Sequence, residues 1–324
     1  MKHLHASRRA ARAFAPATVA NVAVGFEVLG FALDGVGDTV DVRVDPAVAA
    51  GTIVLDAIEG VVTQLPSDPQ ANTAAVALQS MIDELGWQVG FRVRLRKGIP
   101  LSSGMGGSAA SAVAAVVAAN ALLDRPLSPE RLLVHALAGE AAATGAAHAD
   151  NVAPCLFGGM TAIVAPEPPR VIALPVPDGI QTVLVHPCLQ IDTKSARAAL
   201  ERSVPLERCV EQSMRLTGFI AGCYREDPEL IRRSMVDLIA GPQRARMIGG
   251  FDSVRGAALR AGAIACAISG SGPSLFAWTG SMDAARAVAS SMREAFDRCG
   301  TPSDSWISQL GAPAARVIPR EGDG

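Results

Sequence analysis

The stretch Gly98-Ile-Pro-Leu-Ser-Ser-Gly-Met-Gly-Gly-Ser-Ala-Ala-Ser111 runs directly into an alanine-rich segment. Gly104, Gly106 and Gly107 free the backbone to bend and to approach a ligand with no Cβ in the way. Residues 109–123 hold eight alanines and neither Gly nor Pro, which predicts a helix. The unpaired N–H groups and positive dipole end of that helix fall at the glycines. Loop and helix together therefore predict a polyphosphate site.

Three kinds of structure fit such a loop. A Walker A loop needs G-x-x-x-x-G-K-[ST], with a lysine for the terminal phosphates, and none occurs here. Gly104-Met-Gly-Gly-Ser-Ala109 satisfies the loose dinucleotide pattern, and Asp124 lies twenty residues beyond Gly104. Its context is wrong for that fold. The strand-like run Phe91-Arg-Val-Arg-Leu-Arg96 ends well before the first glycine of the loop, and Asp124 sits in an Asp-Arg-Pro turn. The third option is a glycine-rich turn ahead of a core helix.

Pro100 to Ser111 resembles the P-x-x-x-G-L-G-S-S-A motif of the GHMP kinases, which phosphorylate galactose, homoserine, mevalonate and phosphomevalonate. Two more motifs of that superfamily have counterparts in order. These are Ala15-Pro-Ala-Thr-Val-Ala-Asn-Val-Ala-Val-Gly-Phe-Glu-Val-Leu-Gly30 and Ala267-Ile-Ser-Gly-Ser-Gly-Pro-Ser-Leu-Phe276. Within the superfamily the chain is most similar to homoserine kinases, through His148-Ala-Asp-Asn-Val-Ala-Pro-Cys-Leu-Phe-Gly-Gly-Met160 and Gly218-Phe-Ile-Ala-Gly-Cys-Tyr224. The resemblance spans residues 12–318. It implies an α+β, two-domain GHMP kinase fold: an N-terminal domain like ribosomal protein S5 domain 2, a ferredoxin-like C-terminal domain, and an active site between them.

Composition agrees. A chain of 324 residues can bury two cores, and 49% hydrophobic with only 4% aromatic content means an interior of Ala, Val, Leu and Ile. The net charge of −2 argues against nucleic acid as partner, so the substrate is expected to be small. No two of the six cysteines lie closer than 14 positions, which gives neither a zinc spacing nor a disulfide framework and fits a reducing cytoplasm. No apolar run is long enough to predict a membrane span. Met1 to Arg12 is basic but has no apolar core, and is expected to be a short solvated extension.

Alternation predicts strands at Thr39–Val44 and Phe91–Leu95. Residues 72–85 read as a helix closed by Gly86, and Ser128-Pro129 as the start of another. Ala165 to Pro177 carries five prolines, excluding helix and central strand alike, so the domains are expected to be 1–165 and 166–324. Beyond it, strands are expected at 182–186, 264–269 and 274–278, and helices near 193–202, 207–225, 228–239, 251–261 and 282–298.

Phosphoryl transfer needs charge neutralisation, in-line positioning and a metal. ATP is the expected cosubstrate and Mg2+ the expected cofactor. Ser108 at the helix start is one candidate metal ligand. Glu140, with no basic residue within four positions, is the other, and it matches the superfamily's magnesium-binding glutamate. The resemblance assigns ATP binding to Asn72 and to Pro100, Leu101, Ser102, Ser103, Gly104, Met105, Gly106, Gly107, Ser108, Ala109 and Ala110. Asn72 reads equally well as a helix N-cap.

The implied substrate is L-homoserine, on the way to threonine. Its carboxylate calls for arginine and its ammonium for a carboxylate. Arg197 and Arg244 match the family's substrate arginines. Asn21, Glu27, His148, Asn151, Thr193 and Gly270 complete the expected substrate set, with Asn151 and Arg197 as catalytic residues. Asn151 stands where mevalonate and galactose kinases have a catalytic aspartate, so no carboxylate base is expected there. Its neighbour Asp150 is expected to be structural. Three positions depart from the pattern: Ser102 where glycine is usual, Gly107 for the first loop serine, and Glu27 for aspartate. A homodimer is a family-level expectation. Another small-alcohol kinase, or a non-catalytic nucleotide-binding regulator, is the alternative; a regulator would be free to lose Ser108, Glu140, Arg197 or Arg244.

Overall fold

The computed structural model describes residues 4–5, 7–191, 193–201 and 203–320. The first half contains β1 (Ala10–Ala20), β2 (Leu29–Val44), β3 (Ile53–Gly60), α1 (Thr73–Leu85), β4 (Phe91–Lys97), α2 (Gly107–Asn120), α3 (Pro129–Thr144), α4 (Ala149–Phe157), β5 (Met160–Pro166) and β6 (Pro169–Leu174). The second half contains β7 (Gln181–Pro187), α5 (Thr193–Ala198), α6 (Leu206–Arg225), α7 (Pro228–Ser234), α8 (Gly241–Ala245) and α9 (Phe251–Arg260). It continues with β8 (Ala265–Ile268), β9 (Leu275–Thr279), α10 (Met282–Arg298), β10 (Ser303–Gln309) and β11 (Arg316–Ile318).

The first sheet runs β11-β1-β2-β4-β3, with β5 paired to β2 and β6 to β5. β3 and β4 are parallel, joined through α1; the other pairs are antiparallel. Helix α2 lies across β1 and β2, and α1 and α3 pack on it. These helices approach closely because small residues meet. A Cβ on Gly139 of α3 would lie 2.5 Å from the Thr73 carbonyl oxygen and 3.0 Å from Ala112 Cβ.

The second sheet runs β10-β7-β9-β8, all antiparallel. With helices between β7 and β8 and α10 between β9 and β10, this is the ferredoxin-like order. Alternation sorts its two faces. Val183, Val185, Ile268, Leu275 and Ala277 share a core with α9 and α10. Leu184, Phe276 and Trp278 point the other way and join the larger core of the first half. Phe31 of β2 meets Phe276 edge-on at 5.5 Å between centroids, which fastens the two layers together.

Several local expectations are corrected. The proline-rich stretch is neither helix nor central strand, as expected, but it holds an edge strand, β6, which among the described residues pairs only with β5 and tolerates missing N–H donors. The strands therefore change sheets between Leu174 and Gln181, not at 165. The N-terminal extension is not simply solvated: Leu4 is buried and pairs with Leu123, and Ala10 already belongs to β1. The helix expected over 228–239 stops at Ser234, because Asp237 Oδ1 accepts the N–H groups of Ile239 and Ala240 at 2.8 and 2.9 Å and turns the chain.

Candidate active site

The glycine loop, the first motif and the third motif enclose one cavity of about 290 Å³. Its phosphate end is built from backbone. Gly106, at the N-cap of α2, has φ 68°, and Gly104 has φ 74°. A Cβ on Gly106 would sit 2.0 Å from Thr18 Oγ1 and 2.8 Å from Asn151 Oδ1, so only glycine fits. Ser102 adopts φ 53°, a left-handed conformation that the glycine usual at this position would take without strain.

The first intrahelical bond of α2 runs from Ala110 N–H to the Gly106 carbonyl at 2.9 Å. The N–H groups of residues 107–109 precede it and face the cavity end of the helix. Ala110 is thereby removed from the ATP-contacting set: its N–H is committed and its side chain is buried. The Ala109 side chain is buried too and does not line the cavity, which leaves only its N–H. Asn72 lies outside the cavity lining as well. Its Oδ1 accepts from Ala74 and Ala75 N–H at 3.1 and 3.4 Å as the N-cap of α1, and its Nδ2 donates to the Pro66 carbonyl.

A buried ion pair that sequence reasoning missed holds this loop. Lys97, the last residue of β4, pairs with Asp38 of β2. The Lys97 ammonium also donates to the Gly107 carbonyl at 2.7 Å and lies 2.9 Å from Ser111 Oγ. Asp38 Oδ1 accepts from Gly98 and Ile99 N–H at 3.0 and 3.3 Å. The signal was phase: Asp38 alternates with Val40, Val42 and Val44, and Lys97 with Phe91, Val93 and Leu95, so both charges fall on inward faces.

Glu140, 3% exposed, receives a hydrogen bond from Ser108, bringing the two expected metal ligands together. Burial pushes its carboxyl up to about 7, against the opposing pull of Ser108 and Lys97. A buried carboxyl and a hydroxyl beside phosphate-binding N–H groups fit Mg2+, which takes few protein oxygens and completes its shell with phosphate and water. Among the described residues no group of three or more His, Cys, Asp or Glu side chains could cage a metal alone.

The opposite end of the cavity carries the polar side chains. Residues 21–23 are all left-handed, at φ 68°, 45° and 56°. Such strain in non-glycine residues persists only where surrounding bonds impose it. Here Asn21 Nδ2 donates to the Gly270 carbonyl at 3.0 Å and its Oδ1 accepts from Glu27 N–H at 3.0 Å. Arg244 Nη1 donates to the same Gly270 carbonyl at 2.8 Å, with its guanidinium over the Phe26 ring. Arg197 Nη2 contacts Glu27 Oε1 at 2.7 Å. His148 is held toward its neutral form by burial, while Glu27 pulls the other way.

Asn151 accepts the Thr18 hydroxyl at 2.8 Å on Oδ1, leaving Nδ2 as its free donor. Asp150, in the first turn of α4, lines the cavity together with His148 and Asn151. Burial, then Glu27 and Glu140, lift its carboxyl to about 7. The Thr193 side chain lies outside the described residues.

The third motif clamps the first two. Ser269 and Ser274 hydroxyls donate to the Gly104 and Ser103 carbonyls at 2.7 and 2.6 Å, and Gly270 N–H donates to the Ala20 carbonyl at 3.2 Å. The model of the GHMP kinases N terminal domain matches residues 72–159, and that of the GHMP kinases C terminal matches residues 219–298. A homoserine kinase of Xylella fastidiosa (strain M12) is 46% identical over 308 residues, covering 95% of this chain and 94% of that protein. The chain belongs to the homoserine kinase family.

A second relative, the homoserine kinase of Chlorobium phaeobacteroides (strain DSM 266 / SMG 266 / 2430), is 40% identical over 95% of this chain and 99% of its own. The crystal structure of homoserine kinase from Cytophaga hutchinsonii superposes with a TM-score of 0.93 at 41% identity, covering 97% of this chain and 99% of that one. The family's S5-like and ferredoxin-like halves are the two sheets described above.

Proposed function

We infer that this chain transfers the terminal phosphoryl group of ATP to the side-chain hydroxyl of L-homoserine, giving O-phospho-L-homoserine, with Mg2+ as cofactor. One observation carries the inference: a backbone polyphosphate cradle and two substrate-facing arginines line the same cavity. The N–H groups around Gly104 to Ser108 hold the phosphates, and Ser108 and Glu140 hold the metal, which neutralises phosphate charge when bound. A neighbouring cavity of about 550 Å³ shares Pro100 and Leu101 with the loop and offers room for the nucleoside.

Arg197 and Arg244 grip the carboxylate, Glu27 receives the ammonium, and Asn151 Nδ2 steadies the transferring group. With an amide at position 151, catalysis rests on positioning, and the hydroxyl proton leaves through phosphate or solvent. Asp150 is the competing base, favoured by its place in the lining. Turnover of Asp150→Asn should stay within about tenfold of the parent enzyme, whereas a loss of orders of magnitude with homoserine binding intact would make it the base.

ADP release coupled to homoserine, mevalonate and galactose in parallel tests the whole assignment. Homoserine alone should turn over. ATP binding with no reaction on any alcohol would mark a regulator instead.

A cytoplasmic location is supported by six free thiols, and among the described residues no helix is long and apolar enough to cross a membrane. A homodimer is supported by the exposed apolar row Leu206, Val210 and Met214 on α6. Met214→Glu should then yield a monomer by light scattering.

A further inference from the structure

Glu27 and Arg197 are assigned to opposite ends of one zwitterion, yet they are bonded to each other. Arg197 Nη2 lies 2.7 Å from Glu27 Oε1, and Nη1 lies 3.2 Å from His148 Nε2. The same Glu27 oxygen is 3.7 Å from His148 Nδ1, closing a ring of three side chains. One contact on each terminal nitrogen thus ties the guanidinium to Glu27 and His148, and its strong ion pair with Glu27 must give way before Glu27 can receive an ammonium group. We propose that the Glu27–Arg197 pair is a latch that ligands must exchange, making this site selective for zwitterions over hydroxy acids without an ammonium group.

The selectivity follows from charge balance. A zwitterion replaces what it breaks: its carboxylate takes Arg197 and its ammonium takes Glu27. A hydroxy acid takes Arg197 but brings no cation for Glu27, which then faces the neighbouring Asp150 with Arg244 shared between the two carboxylates. A primary amino alcohol frees Arg197 next to Arg244, two like charges in one cavity. Each partial ligand therefore opens the latch at a loss.

Reach makes the latch a property of glutamate. The Glu27 backbone is fixed, with φ 58° and its N–H bonded to Asn21 Oδ1 at 3.0 Å. Aspartate would withdraw the carboxylate by about 1.3 Å, beyond close contact with Arg197, while keeping the charge. Aspartate also tolerates this left-handed conformation, so the variant should fold.

The proposal rests on Arg197 receiving the substrate carboxylate, and the experiment separates the two claims. Inhibition constants of 4-hydroxybutyrate against homoserine are measured for the parent chain, Glu27→Asp, Glu27→Gln and Arg197→Ala. The latch predicts that 4-hydroxybutyrate binds about threefold to fivefold tighter to Glu27→Asp than to the parent, the range for a half-exposed ion pair. Glu27→Gln should tighten it at least as much while weakening homoserine. Tightening in Glu27→Gln only would show that charge, not reach, decides, and would overturn the latch; so would tightening in neither. Unchanged homoserine affinity in Arg197→Ala would instead refute the carboxylate assignment itself.

Discussion

At the scale of single residues, burial sets the proton affinity of Glu140. Burial lifts its carboxyl to about 7, so between the ordinary glutamate range and pH 7 the folded chain holds a proton that the unfolded chain releases. This group's contribution to stability is full in acid and is lost as pH climbs through 7. A divalent cation needs the ionised form, so binding of magnesium nucleotide should expel about one proton near pH 6 and about half a proton near pH 7. Calorimetry in buffers of different ionisation enthalpy measures this. Glu140→Gln should abolish that proton release, raise the magnesium requirement and lower turnover; unchanged magnesium dependence would exclude the ligand role. Arg197→Ala should weaken homoserine about 10- to 100-fold with ATP affinity nearly intact, as expected for one charged hydrogen-bonding group. A fall in ATP affinity instead would mean that the two ends of the cavity are misassigned.

At the scale of elements, the helices were legible because their signals are local. Asn72 and Gly86 bracket α1, and Gly86 has the left-handed φ of 61° that its residue type foretells. The strand β1 was not legible. Ala10-Ala-Arg-Ala-Phe-Ala-Pro-Ala-Thr-Val-Ala20 reads locally as a helix or nothing, and only pairing with β2 and β11 makes it a strand. The three motifs were legible through resemblance, whereas Lys97 and Asp38 belong to none of the quoted motifs and show only in which face of a strand they occupy. Ser128 also differs from its expected part. It starts α3 without capping the backbone and bonds Glu130 instead. Helix packing carries its own prediction. Gly139→Val would drive methyl groups into Thr73 and Ala112, costing about 1–3 kcal/mol. It would also displace the adjacent Glu140, so the melting temperature should fall and the magnesium requirement rise together; a fall in stability alone would separate the packing from the metal site.

For the whole molecule, the site depends on contacts between residues more than 160 positions apart in sequence, such as Ser269 with Gly104. No local pattern encodes them; the strands at 264–269 and 274–278 were readable, but not what the link between them would clasp. Replacing Ser269 and Ser274 together by alanine removes two buried hydrogen bonds to the phosphate loop. It should raise the KM for ATP several-fold while leaving homoserine affinity nearly unchanged, by steady-state kinetics with each substrate varied. Equal loss for both substrates would mean that the clasp supports the cleft as a whole.

β11, at residues 316–318, lies along the otherwise open side of β1, near the start of the chain. During synthesis the ribosome delivers β1 long before its cover. Until Arg316 emerges, the nascent protein carries an unpaired edge strand, a template for joining another chain. A translation product stopped just short of that point should aggregate although its catalytic motifs have all been made.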